Sequence, residues 1–197
     1  FYIYARYESE LIEKIVKDVL RKLKRMPQIS FYTKGLVGID RQLEEIESLL
    51  CFGLPNPHVI GLWGLGGIGK TTLAIEIFNR FSYQFENCCF LENVRENSEK
   101  HGLSYLETKL FSNLLEERNM KSPVNSFVRN RLHNIRMLIV LDDVDNIRQL
   151  DCLLGDGSWF GPGSKVIITT RDAQLLKKVA DESTHQVEPL DFDEALE

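Results

Sequence analysis

The run Gly64-Leu65-Gly66-Gly67-Ile68-Gly69-Lys70-Thr71-Thr72 holds the residues best suited to chemistry. Its spacing is that of a phosphate-binding loop, GxxxxGK[ST]. A polyphosphate needs several N–H donors aimed inward from a tight curve. Glycines permit that curve because no Cβ blocks the unusual dihedrals or the close approach. A helix starting at Lys70 would turn the positive end of its dipole toward the phosphates. Lys70 would bring a full charge to the β- and γ-phosphates, and Thr71 a hydroxyl to Mg²⁺. Gly64, Gly66, Gly67, Ile68, Gly69, Lys70, Thr71 and Thr72 are therefore the candidate nucleotide-binding residues, for ATP or ADP with Mg²⁺. The plainer reading, a glycine-rich turn with an incidental lysine, ignores the setting. An apolar stretch precedes the loop and an amphipathic one follows it, as the motif requires.

A second cluster ends an apolar run, Met137-Leu138-Ile139-Val140-Leu141-Asp142-Asp143-Val144-Asp145. Mg²⁺ prefers hard oxygen ligands and keeps several waters, so one carboxylate at a strand tip suffices. Asp142 is the candidate metal residue beside Thr71. Asp143 is the candidate catalytic acid, set to orient or deprotonate an attacking water. Either Asp143 or Asp145 could instead cap a helix beginning near Asn146, and for Asp145 that reading is preferred. A third group, Thr169-Thr170-Arg171-Asp172, ends another β-branched run. Ligands gather at the carboxyl ends of parallel strands, so Gly64, Asp142 and Thr170 should converge on one edge. Arg171 could reach a γ-phosphate there, or make only a surface salt bridge. No NKxD-type guanine reader appears, which favours adenine. Val37 and Gly38 are candidates for the adenine edge, and could equally belong to a packed loop.

These groups need a scaffold of alternating strands and helices. Strands are expected at His58–Trp63, Cys88–Leu91, Met137–Leu141 and Lys165–Thr169, with a weak fifth near His185–Val187. Helical spacing predicts helices over Ser9–Lys24, from Asp40 as N-cap through Leu50, and over Lys70–Phe81. Further helices are expected along Leu103 to Leu114, Phe127 to Leu132 and Ile147 to Leu154, and after Asp172 through Val179. The fold class is thus α/β, a P-loop NTPase three-layer αβα sandwich around a mainly parallel five-stranded sheet.

Bulk properties fit this picture. The 197 residues suit one domain with a short appendage, and 43% hydrophobic with 27% charged residues is an ordinary globular balance. A net charge of −5 gives no electrostatic footprint for nucleic acid or an anionic membrane. The basic run Arg21, Lys22, Lys24, Arg25 reads as a solvated helix end. Cys88 and Cys89 should face opposite sides of a strand, and the four cysteines form no zinc-ligand spacing. Both chain ends read as cut from a longer protein.

With these motifs in place, the chain resembles the NB-ARC domain of plant nucleotide-binding leucine-rich-repeat immune receptors. The likeness spans Leu36-Val37-Gly38-Ile39-Asp40, the phosphate loop, Phe90 to Glu96, Leu138 to Asp145 and Gly163 to Asp172. Asp145, where coiled-coil receptors typically carry Trp, resembles the class with an N-terminal TIR domain. So do Asn93-Val94-Arg95-Glu96 and the leading helix, which would make 1–30 a linker after a TIR domain and 31–197 the nucleotide-binding subdomain. That subdomain would stop before the family's helical and winged-helix units.

The resemblance implies an intracellular switch, cytoplasmic or nuclear, off with ADP and on with ATP, reset by slow hydrolysis. It assigns Lys70 and Thr71 to the phosphates, Asp142 to the metal, Asp143 to catalysis, Arg171 to sensing the nucleotide, and Val37 and Gly38 to adenine. Implied partners are the receptor's own TIR and leucine-rich-repeat domains and, on activation, other receptor copies, with neither nucleic acid nor membrane. The competing readings are an ADP-holding scaffold without significant hydrolysis and a small-molecule kinase. The kinase would need an arginine-rich acceptor lid that the sequence lacks.

Overall fold

Strands that are apolar on both faces need cover on both faces, and the chain supplies it by alternating them with helices. The computed structural model describes residues 39–50, 55–117, 120, 124–180 and 183–189. Their order is α1 (Ile39–Leu50), β1 (His58–Trp63), α2 (Lys70–Phe81), a 3₁₀ turn (Ser82–Gln84), β2 (Asn87–Leu91), α3 (Val94–His101) and α4 (Leu103–Leu115). Then come α5 (Ser126–Asn130), β3 (Met137–Val144), α6 (Ile147–Leu153), β4 (Lys165–Thr170), α7 (Ala173–Leu176) and β5 (Thr184–Gln186). The expected leading helix, its basic end, Val37, Gly38 and Cys51 lie outside the described residues.

Among the described residues, the five strands form one parallel sheet in the order β2-β3-β4-β1-β5. Side-chain alternation splits the core into two layers. Leu106, Leu110, Phe111 and Leu114 of α4 meet Ile139, Leu141, Val166 and Ile168 on one face. Leu73, Ile77 and Phe78 of α2 meet Ile60, Leu62, Leu138, Val140 and Ile167 on the other. Each such side chain contributes roughly 1.5–3 kcal/mol by leaving water. Cys89 sits in the first layer and Cys88 against the second, as period-2 alternation predicts. This is the three-layer αβα sandwich.

Several boundaries differ from expectation. Helix α1 starts at Ile39, so Asp40 lies within its first turn and not at the position before it. Helix α3 was not expected. Its sequence VRENSEKH buries only Val94 and has no apolar stripe to read. Glu96 in its first turn and Lys100 and His101 in its last suit the helix dipole. Strand β3 runs three residues beyond Leu141, with a register irregularity between Leu141 and Val144. Helix α5 ends at Asn130, and α7 stops at Leu176, leaving Val179 in the turn that follows. Beyond β5, the Val187 N–H still donates to the Trp63 carbonyl at 2.8 Å.

The strand register sets the site. Trp63 pairs with Thr170, and Thr170 with Val144, so β1, β4 and β3 finish at one level. The opposite ends are fixed by a close approach of Gly161 to Ile135. A Cβ on Gly161 would lie 2.2 Å from the Ile135 carbonyl oxygen. Beside it, Ser164 Oγ accepts from the Met137 N–H at 3.0 Å and donates to the Ile135 carbonyl at 3.3 Å. Gly161→Ala should therefore cost about 2 kcal/mol, because backbone must move to admit the methyl. A urea titration checks this, the midpoint falling at constant slope. An unchanged midpoint would mean that the approach has slack.

Candidate functional site

Chain leaving β1 enters the glycine loop directly. Gly69, just before α2, has φ 105°, a left-handed value that a side chain would strain. No side chain caps α2, so the N–H groups of its first turn face the loop and suit an anion. Gly66 lies close under Arg171: a Cβ there would come within 3.2 Å of Arg171 Nη1, the far end of an exposed side chain.

Lys70 is only 7% exposed. Its Nζ donates to the carbonyls of Gly64 at 2.9 Å and Leu65 at 2.7 Å, folding the ammonium back across the loop. Burial pushes its pKa below the ordinary lysine value, and the Arg171 charge adds to that. Asp143 and Asp142 pull the other way.

Asp142 is 2% exposed. Its Oδ1 accepts from Thr71 Oγ1 at 2.8 Å and from Thr169 Oγ1 at 2.7 Å. The Thr169 hydroxyl oxygen in turn accepts from the Asp143 N–H at 2.8 Å. In a regular strand Asp142 and Asp143 would face opposite sides. Here Asp143 takes φ 55° at the irregular end of β3, and both carboxylates line one cavity. Asp143 lies between two guanidinium groups, Arg95 Nη2 at 3.0 Å and Arg171 Nε at 3.7 Å.

The cavity has a volume of about 330 Å³ and a strongly polar wall. Gly66, Gly67, Gly69, Lys70, Thr71 and Thr72 form one side, and Asp142, Asp143 and Arg171 face them. Of the expected loop residues, Gly64 gives Lys70 its carbonyl and Ile68 packs on the apolar layer under α2, so these two shape the loop without walling the cavity. Thr169, not Thr170, turns inward. Thr170 is buried and its Oγ1 accepts from the Asp172 N–H at 3.1 Å, because neighbouring strand residues face opposite ways.

Asn93, Arg95 and Thr169 also line the cavity and were missed as site residues. The Asn93-Val94-Arg95-Glu96 run was visible, but its nearness to Asp143 depends on β2 lying beside β3. Nor does Asp145 cap α6. Asn146 does, its side chain accepting from the Arg148 N–H within a capping box completed by Gln149. Asp145 instead accepts from Gln149 Nε2 at 2.8 Å. Among the described residues, no helix is long and apolar enough to cross a membrane.

Residues 39–197 match the NB-ARC domain family. The chain is 42% identical over 177 residues to disease resistance-like protein DSC1 of Arabidopsis thaliana, with 87% of the chain and 14% of that protein covered. It is 42% identical over 181 residues to TMV resistance protein N of Nicotiana glutinosa, with 87% and 16% covered. With disease resistance protein RPV1 of Vitis rotundifolia it shares 39% over 198 residues, covering 98% of the chain and 14% of that protein. The chain thus spans about a seventh of the length of these curated relatives. Among solved structures it is similar to Cdc6p of Pyrobaculum aerophilum, with TM-score 0.59, 14% identity, and 79% and 46% of the two chains covered, a likeness of fold alone.

The bridge behind the acidic strand end should matter for stability. Gln149 is 3% exposed. It donates to Ser98 Oγ and Asp145 Oδ1 and accepts from the N–H groups of Asp145 and Asn146. Gln149→Ala strands these partners and should cost about 2 kcal/mol, read from denaturant unfolding. A loss under about 0.5 kcal/mol would mean that water replaces the amide without penalty.

Proposed function

The chain belongs to the NB-ARC domain family, and from that membership we propose that it is the adenine-nucleotide switch module of an intracellular plant immune receptor of the TIR class. ADP holds it at rest, ATP turns it on, and slow hydrolysis resets it. The observation that carries the reading is the 2.8 Å contact between Thr71 Oγ1 and Asp142 Oδ1. It joins a phosphate loop to a buried strand-end acid in a P-loop fold, an arrangement suited to a metal-bound nucleotide.

The loop amides and Lys70 bind the phosphates, with Lys70 leaving its two carbonyl partners to do so. The hard oxygens of Thr71 and Asp142 fit Mg²⁺ and would hold it, directly or through water. Mg²⁺ there supplies charge neutralisation to the phosphate oxygens. Asp143 orients the attacking water and takes its proton, and Arg171 reads the γ-phosphate. Val37 and Gly38 meet adenine. Residues 1–30 link this unit to a TIR domain, 31–197 form the nucleotide-binding subdomain, and the receptor works in the cytoplasm or nucleus. Its leucine-rich repeats and further receptor copies are partners in the whole protein.

One observation favours a second reading, an ADP-holding scaffold without significant turnover. Asp143 is already engaged by two arginines, which compete with an incoming water for its carboxylate oxygens.

Two measurements bear on these readings. Lys70→Ala removes charge-assisted contacts of about 1.5–3 kcal/mol and should weaken Mg·ADP binding about 10- to 150-fold by isothermal titration. Unchanged affinity would dismiss Lys70 as a phosphate ligand. Asp143→Asn tolerates the left-handed backbone, should leave ADP affinity within about threefold, and should slow phosphate release about 100-fold or more. Equal turnover in both proteins would favour the scaffold.

A further inference from the structure

We propose that Arg95 is a second ligand for the terminal phosphate of a nucleoside triphosphate, one that leaves Asp143 when that phosphate is present and so favours tri- over diphosphate. The proposal rests on the nucleotide reading above and extends it to a residue outside the phosphate loop and the two acidic and basic strand ends.

Strand order carries the argument. Running across the site edge from β1, the groups met are the glycine loop, then Arg171 after β4, then Asp142 and Asp143 on β3, then Arg95 after β2. Adjacent strands lie about 4.8 Å apart, so β2 stands roughly 14 Å from the strand that feeds the loop. A phosphate chain anchored on that loop comes nearest to Arg95 with its far end. Thr71 already meets Asp142 on β3, so the step left to span is from β3 to β2, and a diphosphate has one phosphate fewer to span it.

The chemistry of Arg95 fits that position. Its Nη2 lies 3.0 Å from Asp143 Oδ2, and its side chain is 38% exposed and lines the cavity. A guanidinium has five N–H donors in a planar fork. Asp143 also serves Arg171, whose side chain is 57% exposed. One carboxylate shared by two such forks leaves donors of both facing the cavity. The arginine end of the pair is partly exposed, and its fork can exchange the carboxylate for a bidentate contact to phosphate.

The backbone beneath Arg95 is held while its tip is accessible. The Arg95 carbonyl accepts from Ser98 Oγ at 2.7 Å, Ser98 Oγ accepts from Gln149 Nε2 at 2.9 Å, and Gln149 is fixed by Asp145. Asn97 Nδ2 donates to the carbonyls of Glu92 and Asn93 at 2.9 and 3.0 Å, closing the turn from β2 into α3. The exchange from Asp143 to phosphate thus needs only a side-chain rotation.

The test is isothermal titration of the 197-residue chain with Mg·ADP and with Mg²⁺ and a non-hydrolysable ATP analogue. Arg95→Gln should weaken the triphosphate analogue about 10- to 100-fold and leave ADP within about threefold. Arg95→Lys should recover part of the loss, since it restores the charge without the fork. Equal affinities in Arg95→Gln and the parent chain would overturn the proposal. So would an equal loss for both nucleotides, the mark of a residue that merely supports Asp143. If Arg95→Gln does not fold by circular dichroism, Arg95→Lys decides by the same ADP-to-triphosphate comparison. A parent chain that binds neither nucleotide would overturn the nucleotide reading itself and this proposal with it. ADP binding with no Arg95 effect would overturn the proposal alone.

Discussion

Oδ1 of Asp142 accepts two hydroxyl hydrogen bonds, one from Thr71 at the start of α2 and one from Thr169 near the end of β4. This buried oxygen ties together the chain that follows β1, the end of β3 and the end of β4. A buried carboxylate is costly unless it is hydrogen-bonded, so the two hydroxyls and the anion hold each other in place. The phosphate loop, the acidic strand end and Arg171 keep their mutual positions through this knot.

Around the knot, the site balances like and unlike charge. Lys70, Arg95 and Arg171 share the cavity with Asp142 and Asp143. Lys70 turns back onto loop carbonyls and Asp143 is taken up by two arginines, so each charge has a partner from the protein. On the function proposed above, these are the groups that would change partners when a polyphosphate enters. Burial and the neighbouring Arg171 lower the Lys70 pKa, while Asp143 and Asp142 oppose that shift.

Helix α3 shows how a polar segment can be structurally committed without an apolar stripe. Only Val94 of it is buried, yet Ser98 meets Gln149, and Gln149 meets Asp145. Asp145 thereby determines which way the Gln149 amide faces, with its oxygen on two backbone N–H groups and its nitrogen on Ser98. The residue expected to cap a helix positions a side chain that links two elements instead, while Asn146 caps α6.

The sequence by itself determined the sandwich, the order of its strands and helices along the chain, and the phosphate loop. Apolar period and glycine spacing are local, and β1 and α2 match their expected limits of His58–Trp63 and Lys70–Phe81. The existence of α3 and the last residues of β3 escaped, since a polar helix with one buried residue and a left-handed Asp143 leave no periodic trace. Only the tertiary structure decided which side chains share the cavity. Thr169 enters in place of Thr170, Asp142 and Asp143 enter together, and Arg95 reaches Asp143 from a distant segment. Strand order and register place those groups, and both arise from packing between segments far apart in the chain, which no local pattern of residue types records.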